Sequence, residues 1–111
     1  MLEKCQGGKG MKAVLIESIK LTEERGSDPN SKRYEISFCF SELPEKAALA
    51  MLFIKTDKEY KQGSNTIKDG RTTVDAWIHK SNKLNDAYFI FYDNKGNRVG
   101  KSNWFKIIRP D

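Results

Sequence analysis

Strict alternation of apolar and polar residues between Tyr34 and Ser41 is the feature that most limits how this chain can fold. Every even position in the segment is aromatic or aliphatic, and every odd position is small or polar. A period of two places successive side chains on opposite faces of a strand. The segment is therefore predicted to be a half-buried β-strand whose inward face carries Phe38 and Phe40.

Other strand-like segments follow one another along the chain, separated by turn-forming residues. They are Ala13–Thr22, Ala47–Ile54, a short edge strand near Glu59–Lys61, Arg71–His79, Ala87–Tyr92 and Val99–Ile108. By propensity Ala47–Ile54 also suits a helix, but its short, continuously apolar run favours a central strand. Seven strands with little convincing helix predict an all-β, immunoglobulin-like antiparallel β-sandwich over residues 13–111, preceded by a flexible leader at residues 1–12.

The first strand contains a break in its alternation. Val14 and Ile16 fall on one face, whereas Ile19 and Leu21 fall on the other. An extra residue in one strand of an antiparallel pair restores the phase of the side chains that follow it. We therefore predict a bulge or kink near Glu17–Ser18.

The composition excludes several classes of protein. The chain has 111 residues, and no apolar stretch approaches the length that would span a bilayer, so membrane insertion is not expected. Its net charge of +5 comes from 20 basic and 15 acidic residues that are spread along the sequence. This spread favours an evenly charged surface over a concentrated nucleic-acid site, although a basic nucleic-acid-binding β domain stays open as an alternative.

The two cysteines and the single histidine offer too few ligands for a zinc site. Cys5 and Cys39 are predicted to be free thiols in a reducing compartment, with a disulfide between them as the alternative. The first residues lack the apolar segment of a secretory signal, so a cytoplasmic location is expected.

No catalytic arrangement is evident. His79 is the one base that titrates near neutrality, and it shares a strand face with Asp75 and Trp77 without a nucleophile placed beside it. The chain has no phosphate-binding glycine loop and no metalloprotease motif. We therefore expect a protein that is not an enzyme and that uses no cofactor and no metal.

The C-terminal hairpin carries a resemblance to known domains. Asp86–Ile90 resembles the tyrosine-corner region of immunoglobulin-like domains, which implies that Tyr88 is the corner and that Ile90 occupies a core position. The stretch Tyr88–Ser102 is similar to the last hairpin of SKICH-type domains, which are intracellular modules of adaptor proteins, and of fibronectin-like domains. It also resembles the aromatic strand and tip of sandwich-type starch-binding modules, without their adjacent Trp-Asp-Asn. These resemblances imply a β-sandwich binding module.

Aromatic residues that point away from the core are the best candidates for a binding site. Trp104 and Trp77 lie opposite the main apolar sets of their strands, and Asn103 and Lys106 lie beside Trp104. An outward tryptophan offers a large contact area and one hydrogen-bond donor. We expect a binding module that recognises a protein partner of acidic character through a sheet face or an edge strand. The alternative is a carbohydrate-binding module in which Trp77, Trp104 or Tyr60 stacks on sugar rings.

Overall fold

The computed structural model describes residues 14–23 and 29–111. These residues form eight strands: β1 (Val14–Glu23), β2 (Ser31–Phe40), β3 (Leu49–Lys55), β4 (Glu59–Thr66), β5 (Arg71–His79), β6 (Leu84–Tyr92), β7 (Arg98–Lys101) and β8 (Phe105–Ile108). They form two antiparallel sheets, which confirms the predicted all-β sandwich. The predicted leader at residues 1–12 lies outside the described residues.

The strand order divides the sandwich into a three-stranded and a five-stranded sheet. The three-stranded sheet has the order β1-β2-β5, and the five-stranded sheet has the order β4-β3-β6-β7, with β8 also paired to β6. This arrangement is compatible with an immunoglobulin-like sandwich. The ambiguous apolar segment forms β3, which lies between β4 and β6, so the prediction of a central strand was correct.

The last strand is interrupted, whereas the sequence predicted one continuous strand over Val99–Ile108. The break falls between β7 and β8, both of which pair with β6. At the break, the Ser102 N–H donates to the Phe89 carbonyl at 2.9 Å, and the Ser102 hydroxyl accepts the Phe89 N–H at 2.8 Å. Because a side-chain oxygen takes the place of a backbone carbonyl, the regular ladder stops there and resumes at Phe105.

Strand β4 is longer than the predicted edge strand near Glu59–Lys61. It continues through Gly63, where an added Cβ would lie 2.9 Å from the backbone oxygen of Asp75 in β5. The Gln62 side chain accepts the Trp77 N–H at 2.9 Å, and the Asn65 amide donates to the Thr73 carbonyl at 2.8 Å. The absence of a side chain at Gly63 thus lets β4 lie against β5, and amide side chains satisfy the exposed edge of β5.

The predicted bulge in β1 is present. The pairing of β1 with β2 shifts between Ile16 and Ser18. Val14, Ile16, Ile19 and Leu21 consequently all pack against the core, although they fall on opposite faces of an ideal strand.

A cluster of phenylalanine rings fills the space between the two sheets. Phe89 of β6 is fully buried, and its ring contacts Phe38 and Phe40 edge-on, with ring centroids 4.8 Å and 5.2 Å away. It is also stacked with Phe91 and Phe105 at 6.2 Å and 5.7 Å. Phe89 therefore links side chains from both sheets, and the predicted inward positions of Phe38 and Phe40 are confirmed.

The tyrosine-corner assignment was wrong. The core face of β6 carries Phe89 and Phe91, so Tyr88 and Ile90 lie on the opposite face of the same strand. Both faces of β6 are apolar, and the alternation within this strand does not by itself show which face is inward.

The expectation of free thiols is wrong for Cys39. Its side chain is almost fully buried on the outer side of the three-stranded sheet, and it is disulfide-bonded. Cys5 lies outside the described residues. The strand pattern correctly placed Cys39 on the outward side, but it carries no information about a partner that is remote in sequence.

An acidic contact fastens the C-terminal segment to the core. The Asp111 carboxylate accepts a hydrogen bond from the hydroxyl of buried Tyr34 at 2.6 Å and is paired with the Lys32 ammonium. These two donors, Lys32 foremost, hold the pKa of Asp111 well below its ordinary value. A carboxylate whose pKa is lowered by folding stabilises the protein above the unfolded-state pKa of about 3.9, and this stabilisation is lost as the pH falls through the folded-state pKa.

We therefore expect Asp111→Asn to lower the free energy of unfolding at neutral pH and to flatten its dependence on pH below about pH 4. Urea denaturation of both proteins at a series of pH values gives the free energy of unfolding as a function of pH. An equal dependence on pH below pH 4 in the two proteins would show that the Asp111 contact does not contribute to stability.

Candidate binding face

The outer face of the five-stranded sheet carries a continuous row of apolar and aromatic side chains. In antiparallel pairs, residues directly opposite each other lie on the same face. Met51 of β3 lies opposite Ile90 of β6, and Phe53 lies opposite Tyr88. We call this surface the aromatic face, and it comprises Leu49, Met51, Phe53, Tyr88, Ile90, Tyr92 and Trp104.

Trp104 is the most exposed aromatic residue of the aromatic face, with 48% of its surface accessible. Its ring contacts Tyr88 edge-on at 4.7 Å between centroids, and Tyr88 is stacked on Phe53 at 5.2 Å. The Lys101 ammonium lies 4.2 Å from the centroid of Tyr88 and 5.2 Å from that of Trp104. The indole is thus held by packed neighbours on the sheet side and is open to solvent elsewhere.

Tyr88 supports the Trp104 ring from the side of the sheet. Burial raises the pKa of its hydroxyl, and a hydrogen bond to Glu59 raises that pKa further. The phenol therefore stays protonated at neutral pH. Its ring stacks on Phe53 and contacts Trp104 edge-on, so it supports the indole from the sheet side.

Positive charge surrounds the aromatic face. The cations that share its sheet face are Lys55, Lys61, Arg98, Lys101 and Lys106, and the carboxylates are Glu59 and Asp86. Lys106 forms an ion pair with Asp86. The outer face of the three-stranded sheet differs, because its arginines are neutralised: Arg33 pairs with Glu23 and Asp75, and Arg71 pairs with Glu17. The excess positive charge therefore lies on the side of Trp104.

The structure places three of the five predicted site residues beside one another and the other two elsewhere on the surface. Trp104, Asn103 and Lys106 are all exposed beside one another at the β7–β8 break. Trp77 and Tyr60, at 40% and 41% exposure, lie away from this break. Trp77 lies on β5 of the three-stranded sheet, whereas Trp104 lies between β7 and β8 of the five-stranded sheet.

Trp77 and Tyr60 line a second feature, which we call the end groove. This open cavity of about 640 Å³ lies where the β3–β4 connection meets the end of β5. Gln62 and His79 also line it. The Nδ1 atom of His79 lies 2.7 Å from the hydroxyl of Ser81, while Asp75, the carboxylate considered beside His79 in the sequence, pairs with Arg33.

Sequence reasoning missed the supporting residues of the aromatic face, namely Lys101, Tyr88 and Phe53. The continuously apolar segments Ala47–Ile54 and Ala87–Tyr92 contained a signal for them. A strand that is apolar at both parities must present an apolar outer face as well as a core face. The position of Lys101 could not be predicted from this pattern, because it depends on the register shift between β6 and β7.

Within residues 14–23 and 29–111, no group of three or more histidine, cysteine or acidic side chains could hold a metal ion. The same residues include no helix that is long and apolar enough to cross a membrane. No protein-family model matches the chain, and no curated protein matches it in sequence. The functional conclusion therefore rests on the geometry of the aromatic face.

Proposed function

We propose that this protein is a non-enzymatic binding module that recognises an acidic surface of another protein through its aromatic face. The observation that carries the proposal is the half-exposed Trp104 indole, supported by Tyr88 and flanked by Lys101. Binding hot spots are enriched in tryptophan and tyrosine, and a rigidly held ring loses little conformational freedom on binding.

Recognition by a sheet face is favoured over strand addition at the predicted edge near Tyr60. The edge of β4 that does not pair with β3 lies against β5, and the side chains of Gln62 and Asn65 already bond to the β5 backbone there. The opposite edge of the five-stranded sheet is divided into β7 and β8, each of four residues. A short, interrupted edge offers few consecutive backbone groups to an added strand.

The charge distribution supports an acidic partner. The aromatic face is flanked by more cations than carboxylates, and Lys101 lies directly beside Trp104. Complementary charge accelerates encounter and makes the association rate sensitive to salt. The exposed Trp104 indole and the cations around it together fit a partner segment in which carboxylates flank an aliphatic or aromatic side chain.

Single-stranded nucleic acid is also polyanionic, but the ring geometry supports it less well. Non-specific binding of a single strand uses several open rings on which successive bases stack. Here Phe53 and Tyr88 stack on each other, and the Lys101 ammonium lies over Tyr88. Trp104 is then the one ring of the aromatic face that offers a largely exposed surface.

The sequence predicted free thiols in a reducing compartment and, from the lack of a secretory signal, a cytoplasmic location. Since Cys39 is disulfide-bonded and such bonds persist in oxidising environments, we propose that the module works in an oxidising compartment. The disulfide also argues against the intracellular adaptor role that the resemblance to SKICH-type domains implied.

A selection from a random peptide library displayed on phage tests the proposal. We expect the enriched peptides to combine Asp or Glu with Leu, Ile or Phe, to bind less tightly as salt is raised, and to shift the indole N–H resonance of Trp104. Oligo(dT) is the competitor for the nucleic-acid alternative. Enrichment of peptides without acidic residues, or tighter binding of oligo(dT) than of any peptide, would contradict a protein-binding role.

A further inference from the structure

The end groove is built differently from the aromatic face. Among the described residues that line it, Asp57 and Lys61 are the charged ones, and they carry opposite charge. Its volume of about 640 Å³ falls within the range of small-molecule sites. A groove without excess charge favours a neutral ligand over a phosphate or a carboxylate.

Two exposed aromatic rings lie on the walls of the end groove, and polar neighbours hold both in place. The Tyr60 hydroxyl donates to Asp57 at 3.0 Å, and the Lys58 ammonium lies 5.5 Å from the centroid of the Tyr60 ring. The Arg33 guanidinium lies 5.9 Å from the centroid of the Trp77 ring and is itself paired with Asp75. These contacts favour one orientation of each ring before any ligand arrives, which lowers the entropic cost of binding.

The polar side chains of the end groove can both donate and accept hydrogen bonds. The Gln62 side-chain oxygen accepts the backbone N–H of Trp77 at 2.9 Å, which orients the amide of Gln62. Ser81 engages Nδ1 of His79 at 2.7 Å, so that Nε2 is the imidazole atom left for a ligand. Asn82 adds a further side-chain amide. Hydroxyl groups match such a lining, because each hydroxyl also donates and accepts.

We propose that the end groove binds a neutral oligosaccharide, whose sugar rings stack on Trp77 and Tyr60 while its hydroxyls bond to Gln62, His79 and Asn82. A pyranose ring presents an apolar C–H face and a polar rim, which is the combination that aromatic and amide groups recognise. A purely apolar ligand would leave the amides unpaired, at the cost of their desolvation.

Titration with cellohexaose, maltohexaose and mannohexaose, followed through the indole N–H resonance of Trp77, tests this proposal. We expect at least one hexasaccharide to give a saturable shift and Trp77→Ala to weaken its binding by at least about tenfold, or about 1.4 kcal/mol. Trp77→Tyr retains a ring and should lose less affinity. Trp104→Ala, on the other sheet, is the matched control and should bind the sugar unchanged.

Absence of a saturable shift with all three hexasaccharides, or equal binding by Trp77→Ala, would overturn the proposal. If Trp77→Ala does not fold, Tyr60→Ala replaces it, because Tyr60 is 41% exposed and its ring lies outside the phenylalanine core. A negative result here leaves peptide binding by the aromatic face unaffected, since that surface includes neither Trp77 nor Tyr60.

Discussion

Phe89→Ala is expected to lower the free energy of unfolding by about 3–5 kcal/mol, the usual cost of removing a buried phenylalanine ring. Phe89 is fully buried and contacts four other phenylalanine rings from both sheets. Its truncation removes the transfer free energy of the ring and leaves a cavity that rigid strands cannot close. A loss of this size is a large share of the stability of a typical domain, so the variant is expected to be partly unfolded at ambient temperature.

Phe53→Ala is the matched control for the core prediction. Phe53 lies on the aromatic face, is only half-buried, and stacks on Tyr88 alone among the aromatic rings in the described residues. Its truncation should cost about half as much as that of Phe89 or less. Equal losses in urea denaturation would show that the space between the sheets is not the main hydrophobic core.

Local patterns predicted most of the fold. The alternation in Tyr34–Ser41 and in Arg71–His79 identified β2 and β5, because each strand has one buried and one polar face. The inward faces of β3 and β6 were harder to predict, because both faces of each strand are apolar and the alternation does not distinguish the inner face from the outer one. For this reason β6 was recognised as a strand, while Tyr88 and Ile90 were assigned to the wrong face.

Features that depend on contacts between distant residues were not predictable. The division of the last strand follows from the bonds of Ser102 to Phe89, and the length of β4 follows from the close approach of Gly63 to β5. The disulfide of Cys39 likewise depends on a contact between residues that are distant in sequence. The exposure of Trp104, by contrast, follows directly from its position opposite the inward residues Phe105 and Ile107, and the sequence pattern was sufficient to predict it.

Trp104→Ala is expected to weaken binding of an acidic peptide ligand by about 30-fold or more, which corresponds to about 2 kcal/mol. The indole is the largest exposed group of the aromatic face, and its removal also uncovers Tyr88 and Lys101. The fold should persist, because 48% of the Trp104 surface is already accessible and its ring lies outside the core cluster. Circular dichroism and a thermal melt provide the check on folding.

The dissociation constant of one selected peptide, measured by calorimetry for the unaltered protein, Trp104→Ala and Trp77→Ala, tests the central claim most directly. Trp77 is the matched control, since it is a tryptophan of similar exposure on the opposite sheet. We predict a loss of about 30-fold for Trp104→Ala and less than about twofold for Trp77→Ala. Equal affinity of Trp104→Ala and the unaltered protein, with both folded, would show that the aromatic face is not the binding surface.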